Sequence, residues 1–207
     1  MTPRWYFDFV SPFSYLHWQK MRPLVEAGRV EAVPIVFGAV LSARGVLGPA
    51  EIPHKREFIY RQALWQARRE GVPLLFPPGH PFNPLPALRL CVAAGITPGS
   101  IDAIFNSIWR DGLDGSAASL TATAHGLGIR DMAAIESPQV KQRLRELTDS
   151  ALETGVFGVP TLQVEGGLFW GNDSHDLMMA VMEEPGMLRS GPLADIGMLP
   201  LALERRR

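Results

Sequence analysis

Residues 4–10, Arg-Trp-Tyr-Phe-Asp-Phe-Val, form an aromatic and β-branched run that predicts a buried strand. Ser11-Pro12 follows, a favoured N-cap and a first-turn proline, and predicts a helix start. Trp18, Met21 and Val25 then recur at helical spacing, with Leu24 beside them, until Gly28 ends the run. Residues 30–37 read as a second strand. The opening is β-α-β, for which a right-handed parallel crossover is expected.

The middle of the chain changes character. Residues 39–53 read as a Gly/Pro-rich loop, and residues 54–70 as a helix with a charged outer face, stopped by Gly71-Val72-Pro73. A proline-rich loop spans 74–84, and further helices are predicted near 85–94, 98–110, 116–126 and 138–153. The end returns to β. Residues 156–160 lead into a strand at 161–164, Glu165-Gly166-Gly167 turns, and 168–170 is the partner strand. Gly171-Asn172-Asp173 then opens a helix through about Met182, with Asp173 as its N-cap and Asp176 three residues on. Residues 185–207 form a Pro/Gly-punctuated tail to which no structure is assigned. This order predicts an α/β, thioredoxin-like fold with helices inserted between a β-α-β and a β-β-α half. The thioredoxin-like part would be 1–38 with 155–184, the helical insertion 39–154, and the tail 185–207.

Composition narrows the function. Of 207 residues 46% are hydrophobic and 20% charged, so a sizeable core forms and general disorder is excluded. A net charge of −1 lacks the basic excess of a phosphate-contacting nucleic-acid binder. A single cysteine excludes an internal disulfide and a Cys-x-x-Cys redox pair. The five histidines lack metal-ligand spacing, so no metal site is expected. No run of 18 apolar residues and no signal-peptide core are present, so a soluble cytoplasmic protein with no membrane partner is expected.

Two segments carry specific chemistry. One is Tyr6-Phe7-Asp8-Phe9-Val10-Ser11-Pro12-Phe13-Ser14-Tyr15-Leu16; the other is Gly155-Val156-Phe157-Gly158-Val159-Pro160-Thr161, continuing to Phe169-Trp170-Gly171-Asn172-Asp173. Together they resemble the 2-hydroxychromene-2-carboxylate isomerase family, related to kappa-class glutathione transferases and, by fold, to DsbA oxidoreductases. The resemblance implies a thioredoxin fold, glutathione as cofactor, a small-molecule substrate and, as relatives are often dimers, room for a homodimer. It places Ser11 where a redox relative has its reactive cysteine.

Physical chemistry agrees with that placement. A thiolate is the competent nucleophile, and a free thiol titrates near 8.5. A hydroxyl donor, a helix N-terminus and nearby backbone N–H groups all stabilise the anion. Ser11 is therefore expected to hold a bound thiol as its thiolate, with no covalent role of its own, since no Ser-His-Asp arrangement accompanies it. The resemblance also implies cofactor contacts at Phe13. It implies a cis-proline site at Val159-Pro160, whose Val159 backbone would pair with the peptide. Trp170, Gly171, Asn172 and Asp173 would meet the γ-glutamyl end, with helix N–H groups for its carboxylate and Asp for its ammonium.

Other residues read more plainly. His80, an acid/base candidate for substrate, reads more simply as a solvent-exposed loop histidine, and Asn83 as a cap with Pro84 at the first helical position. Cys91 is expected to be a buried small hydrophobe, and Lys55-Arg56, Arg61 and Arg68-Arg69 a solvated basic face. Relatives often carry an Asn where this chain has Val46, and polar substrate contacts where it has Leu41 and Glu51-Ile52. Those departures bear on the substrate more than on the thiol chemistry. The reading is a glutathione-dependent isomerase acting on a conjugated aromatic keto acid. A kappa-class-like transferase or a non-catalytic binding protein is the alternative. A disulfide oxidoreductase is excluded, because Ser11 and Ser14 stand where two sulfurs are needed.

Overall fold

The computed structural model describes residues 2–200. Strand β1 (Arg4–Phe7) runs parallel to β2 (Glu31–Pro34) on one side and antiparallel to β3 (Thr161–Val164) on the other. Strand β4 (Gly167–Trp170) completes the order β2-β1-β3-β4. The alternation of β1 sends Trp5 and Phe7 to one face and Tyr6 to the other. On the first face Trp5 stacks against Phe7 at 4.6 Å and Trp18 at 5.6 Å between ring centres. Helices α1 (Pro12–Glu26) and α8 (His175–Glu183) cover that face through Leu16, Trp18, Met21, Met178 and Val181. On the second face Tyr6 and Val33 meet α7 (Pro138–Thr154) through Leu147 and Ala151.

Both opening strands are shorter than their apolar runs. The expected strand 4–10 ends at Phe7 because the Asp8 carboxylate turns back to accept the N–H of Val10 at 3.0 Å. The expected strand 30–37 is ordered as a strand only over Glu31–Pro34. Part of the stretch expected to be loop, 39–53, is helix α2 (Phe37–Arg44). Its Val40 is fully buried beside Val33, and its Arg44 donates to the carbonyls of Gly155 and Val156. A single 3₁₀ turn follows at Pro49–Glu51.

Helices α3 (Pro53–Glu70), α4 (Leu85–Ala93) and α5 (Pro98–Phe105) arise where they are expected, and α5 runs on into one π turn at Asn106–Arg110. Helix α6 (Thr121–Gly126) starts later than expected, and a 3₁₀ turn at Met132–Glu136 precedes α7. Leu88, Cys91, Ile104, Phe105 and Trp109 from this block join the same core as Trp5 and Phe7. Phe105 lies 4.6 Å from Phe9 and 5.6 Å from Phe7, ring to ring. Burying a side chain of this size is worth about 1.5–3 kcal/mol, so the inserted helices and the sheet share one apolar interior.

The tail is more ordered than expected. It forms 3₁₀ turns at Pro185–Leu188 and Ile196–Met198 around the short helix α9 (Pro192–Asp195), and Arg189 pairs with Glu165 at 2.8 Å. The final residues of the tail, 201–207, lie outside the described residues.

Strand directions gather the quoted motifs. The chain leaves β1 and β2 at the same end of the sheet, enters β3 there (Tyr6 opposite Thr161), and leaves β4 there (Trp170 opposite Thr161). Ser11, Val159-Pro160 and Gly171–Asp173 therefore share one sheet end.

Candidate active site

Ser11 caps α1 as expected, with an extended backbone (φ −93°, ψ 116°) and Pro12 as the first helical residue. Its Oγ accepts the N–H of Ser14 at 3.2 Å, and its carbonyl accepts the N–H of Tyr15. Ser11 is 8% exposed. Three donors at this helix start have no acceptor among the described residues: the Ser11 hydroxyl proton, the Phe13 N–H and the fully buried Ser14 hydroxyl. All three lie in the first turn, where the helix dipole favours negative charge.

The loop that presents Ser11 is held group by group. The fully buried Asp8 carboxylate accepts Val10 N–H through Oδ1 and Phe37 N–H through Oδ2, at 3.0 and 2.8 Å. The carbonyl of Phe9 accepts the indole N–H of Trp109 at 2.8 Å. The carbonyl of Val10 is bonded to Nε2 of His80 at 2.7 Å, and the N–H of Ser11 donates to the carbonyl of Asp8 at 3.1 Å. Burial pushes the Asp8 carboxyl up to about 7, against the pull of the backbone N–H groups it accepts.

His80 is not the solvent-exposed loop residue that the sequence suggests. Its ring sits among Tyr60, Phe76, Phe82 and Trp109, at 5.2 to 6.2 Å between ring centres. Burial lowers its pKa, with the Val10 carbonyl pulling the other way and Arg56 adding to the lowering. Burial thus favours the neutral ring. The Val10 carbonyl can only accept, so the proton is assigned to Nε2, leaving Nδ1 to accept from the Tyr60 hydroxyl at 2.6 Å, whose one proton is shared with the His80 carbonyl at 2.8 Å. Asn83 accepts the N–H of Leu85 at 3.1 Å, and α4 begins at Leu85 with Pro84 as its cap, in place of the expected Asn83 cap and Pro84 at the first helical position.

The Val159–Pro160 peptide is cis. Pro160 is tied to the end of β4 by its carbonyl, which accepts the N–H of Gly171 at 2.9 Å. Among the described residues neither the N–H nor the C=O of Val159 has a partner. The indole of Trp170, 51% exposed, lies over Gly158 and packs edge-on against Phe157 at 5.8 Å. A Cβ at Gly158 would fall 2.5 Å from the Trp170 Nε1, so that close approach requires glycine. Gly171 has φ +99°, and a Cβ there would strike the Asp173 carboxylate.

Asn172 and Asp173 part company. Asn172 is 2% exposed and turns its carboxamide inward, accepting from Lys20 at 3.0 Å and donating to Gln66 at 2.9 Å. Asp173 is exposed and makes no cap bond; a 3₁₀ turn spans Asn172–Ser174, and Ser174 stands before α8 with its hydroxyl on the Trp170 carbonyl. The expected Asp173 cap is therefore absent, because the extra turn moves the helix start to His175. Its carboxylate is left facing solvent at the same sheet end as Ser11.

Beneath Asn172, Lys20 pairs with Glu70 at 2.9 Å, while the buried second oxygen of Glu70 has no partner among the described residues. Beside them His17 accepts the Trp5 indole N–H through Nδ1 and faces His175 at 3.2 Å through Nε2. Burial, then His175 and Lys20, depress the pKa of His17 well below its ordinary value. Glu51 closes back on the N–H of Gly48, so its carboxylate is committed to its own loop. Val46 and Leu47 are exposed in that loop.

Residues 4–183 match the DSBA-like thioredoxin domain, and the chain belongs to that family. Within it, the chain is 30% identical over 194 residues to 2-hydroxychromene-2-carboxylate isomerase of Pseudomonas putida, covering 88% of this chain and 94% of that one. It is 31% identical over 188 residues to the isomerase of the same name from Sphingobium xenophagum, covering 86% and 95%. The solved structure of a 2-hydroxychromene-2-carboxylate isomerase superposes with a TM-score of 0.76 at 27% identity, covering 91% of this chain and 98% of that one. Glutathione S-transferase kappa 1 of Rattus norvegicus is a more distant relative at 22% identity, covering 88% and 91%.

Proposed function

We propose that this protein is a glutathione-dependent isomerase of the 2-hydroxychromene-2-carboxylate type, with Ser11 as its thiolate-stabilising residue. The observation that carries the proposal is the cluster of unsatisfied donors at the start of α1, the Ser11 hydroxyl and the Phe13 N–H with the buried Ser14 hydroxyl behind them, beside a strand end with free backbone groups. Relatives named as isomerases cover nearly the whole chain and supply the reaction class.

The residues present fit glutathione. A cysteinyl backbone can pair with the free N–H and C=O of Val159 as an added strand. A thiolate suits the Ser11 hydroxyl and the Phe13 N–H. The solvent-facing Asp173 carboxylate suits an ammonium, whereas the Asn172 carboxamide is already engaged by Lys20 and Gln66 and acts by bracing the turn. Trp170 and Phe157 offer an apolar rim at the same sheet end. When bound, glutathione supplies a thiolate that adds reversibly to a conjugated carbon and makes a double bond rotatable.

The protein's own share is electrostatic and positional. Ser11 and Phe13 hold negative charge at sulfur, and the clamped loop keeps those donors aimed before any ligand arrives. No side chain here need become covalently attached. The substrate class is a conjugated aromatic keto acid. Titrating the protein with glutathione while recording thiolate ultraviolet absorbance, then assaying 2-hydroxychromene-2-carboxylate with and without glutathione, tests the reading. Glutathione-dependent conversion is expected; conversion that ignores glutathione overturns it.

A further inference from the structure

We propose that Tyr60 and His80 form a positioning relay that fixes the direction of the Ser11 hydroxyl by gripping the peptide unit in front of it. The inference rests on the reading of Ser11 given above. The Val10–Ser11 peptide plane is held at both ends: its carbonyl by His80 Nε2 at 2.7 Å, and its N–H by the Asp8 carbonyl at 3.1 Å. That plane and the helix behind it together set φ of Ser11 and so where Cβ points, while the Ser14 N–H bonded to Oγ holds χ1. A neutral imidazole has one donor and one acceptor. Engaging the other nitrogen as an acceptor biases the proton toward Nε2 and so toward Val10, and the Tyr60 hydroxyl, 2.6 Å from Nδ1 and 2.8 Å from the His80 carbonyl, supplies that bias with a proton shared between the two.

The relay crosses the fold. Tyr60 is on α3 and His80 on the loop before α4, so the helical block holds the serine's loop. Trp109, from the π turn after α5, grips the preceding carbonyl at Phe9 in the same way. His80 bonds to the loop's backbone, Tyr60 bonds to His80, and neither bonds to Ser11 itself among the described residues. They are positioning residues.

The test compares His80→Ala, His80→Gln and Tyr60→Phe in the full chain. Loss of the Val10 bond in His80→Ala should lower bound-thiolate absorbance and reduce kcat by roughly ten- to a hundredfold, while glutathione affinity stays within about twofold. Gln retains an N–H donor and should recover much of the loss; Tyr60→Phe should fall between. His80→Ala matching wild type in kcat and thiolate signal overturns the proposal, as does His80→Gln losing as much as His80→Ala. Ring-nitrogen chemical shifts of His80 in the ligand-free wild type supply a readout that needs no glutathione. An Nε2-protonated ring is expected in wild type, with that preference weakened in Tyr60→Phe. An Nδ1-protonated ring in wild type overturns the relay even where glutathione binds. A wild type that never binds glutathione, yet shows the Nε2 tautomer, instead defeats the proposed function and leaves the clamp standing.

Discussion

The backbone N–H of Phe37 points at Oδ2 of Asp8 across 2.8 Å, tying the end of β1 to the start of α2 beneath the loop that carries Ser11. The carboxyl is buried, it faces N–H donors rather than a cation, and its pKa rises from 3.8 to about 7. The folded chain thus keeps a proton that the unfolded chain releases above about pH 4. Asp8 alone makes stability fall as pH rises from about 4 to 7, by about 4 kcal/mol in total. His17 acts in the opposite sense. Its depressed pKa means that the unfolded chain takes up a proton below about 6.5 which the folded chain refuses, so stability falls as pH falls. His80 and His175, also lowered by burial, act as His17 does, and below about pH 6.5 these slopes oppose that of Asp8. Asp8→Asn removes its slope and leaves those of the histidines. Urea melts from pH 7.5 to 4.5 should show the variant losing stability toward acid more steeply than wild type; parallel profiles would clear Asp8 of this role.

Ser11→Ala removes a hydroxyl donor and a cap at once. Loss of the bond to the Ser14 N–H costs about 1 kcal/mol, which lowers the melting temperature by roughly 2–4 °C. Turnover should fall by roughly a hundred- to a thousandfold, as for loss of one donor to a developing anion. Glutathione should still bind, since the free backbone groups of Val159 are untouched. Calorimetry with glutathione, run beside the assay, separates the two effects.

Lys20 and Glu70 should show strong coupling. Lys20→Met leaves the inward Glu70 carboxylate with only the exposed Arg69 as a cation and strips Asn172 of a donor, at a cost of about 2–3 kcal/mol. Adding Glu70→Gln neutralises the stranded charge and should return part of that loss. A double-mutant cycle from urea melts reads the coupling; strictly additive losses would mean that the pair is independent.

Cys91 is fully buried and its thiol is pushed up to about 12 by desolvation. It should resist a thiol reagent in the native protein and react fully in urea. Rapid labelling without denaturant would contradict this burial.

Local chemistry was legible in the sequence to the extent that neighbours determine it. Ser11-Pro12 announces a cap and a first turn from cap preference alone. The aromatic run at 4–10 announces a buried strand, but not where it stops: Asp8 ends it by bonding Val10 and Phe37, and only the first of those partners is close in sequence. Helix α2 escaped because Gly38, Gly45, Gly48 and Pro49 outweigh so short a segment, whereas its stability comes from Val40 buried against Val33. His80 read as solvent-exposed because its partners, Tyr60 and Val10, lie 20 and 70 residues away. An acid amid aromatic residues at Asp8 was the one local sign that the loop is stiffened from within. Nothing nearby in sequence marks Trp109 as its companion.

The grip of Trp109 and His80 on the carbonyls of Phe9 and Val10 has an engineering corollary. Grafting Asp8 to Tyr15 onto a minimal scaffold lacking the inserted helices would transplant the serine without its guy-ropes. A transplant that carried Tyr60, His80 and Trp109 along with the segments that hold them would bring the tension that keeps it upright.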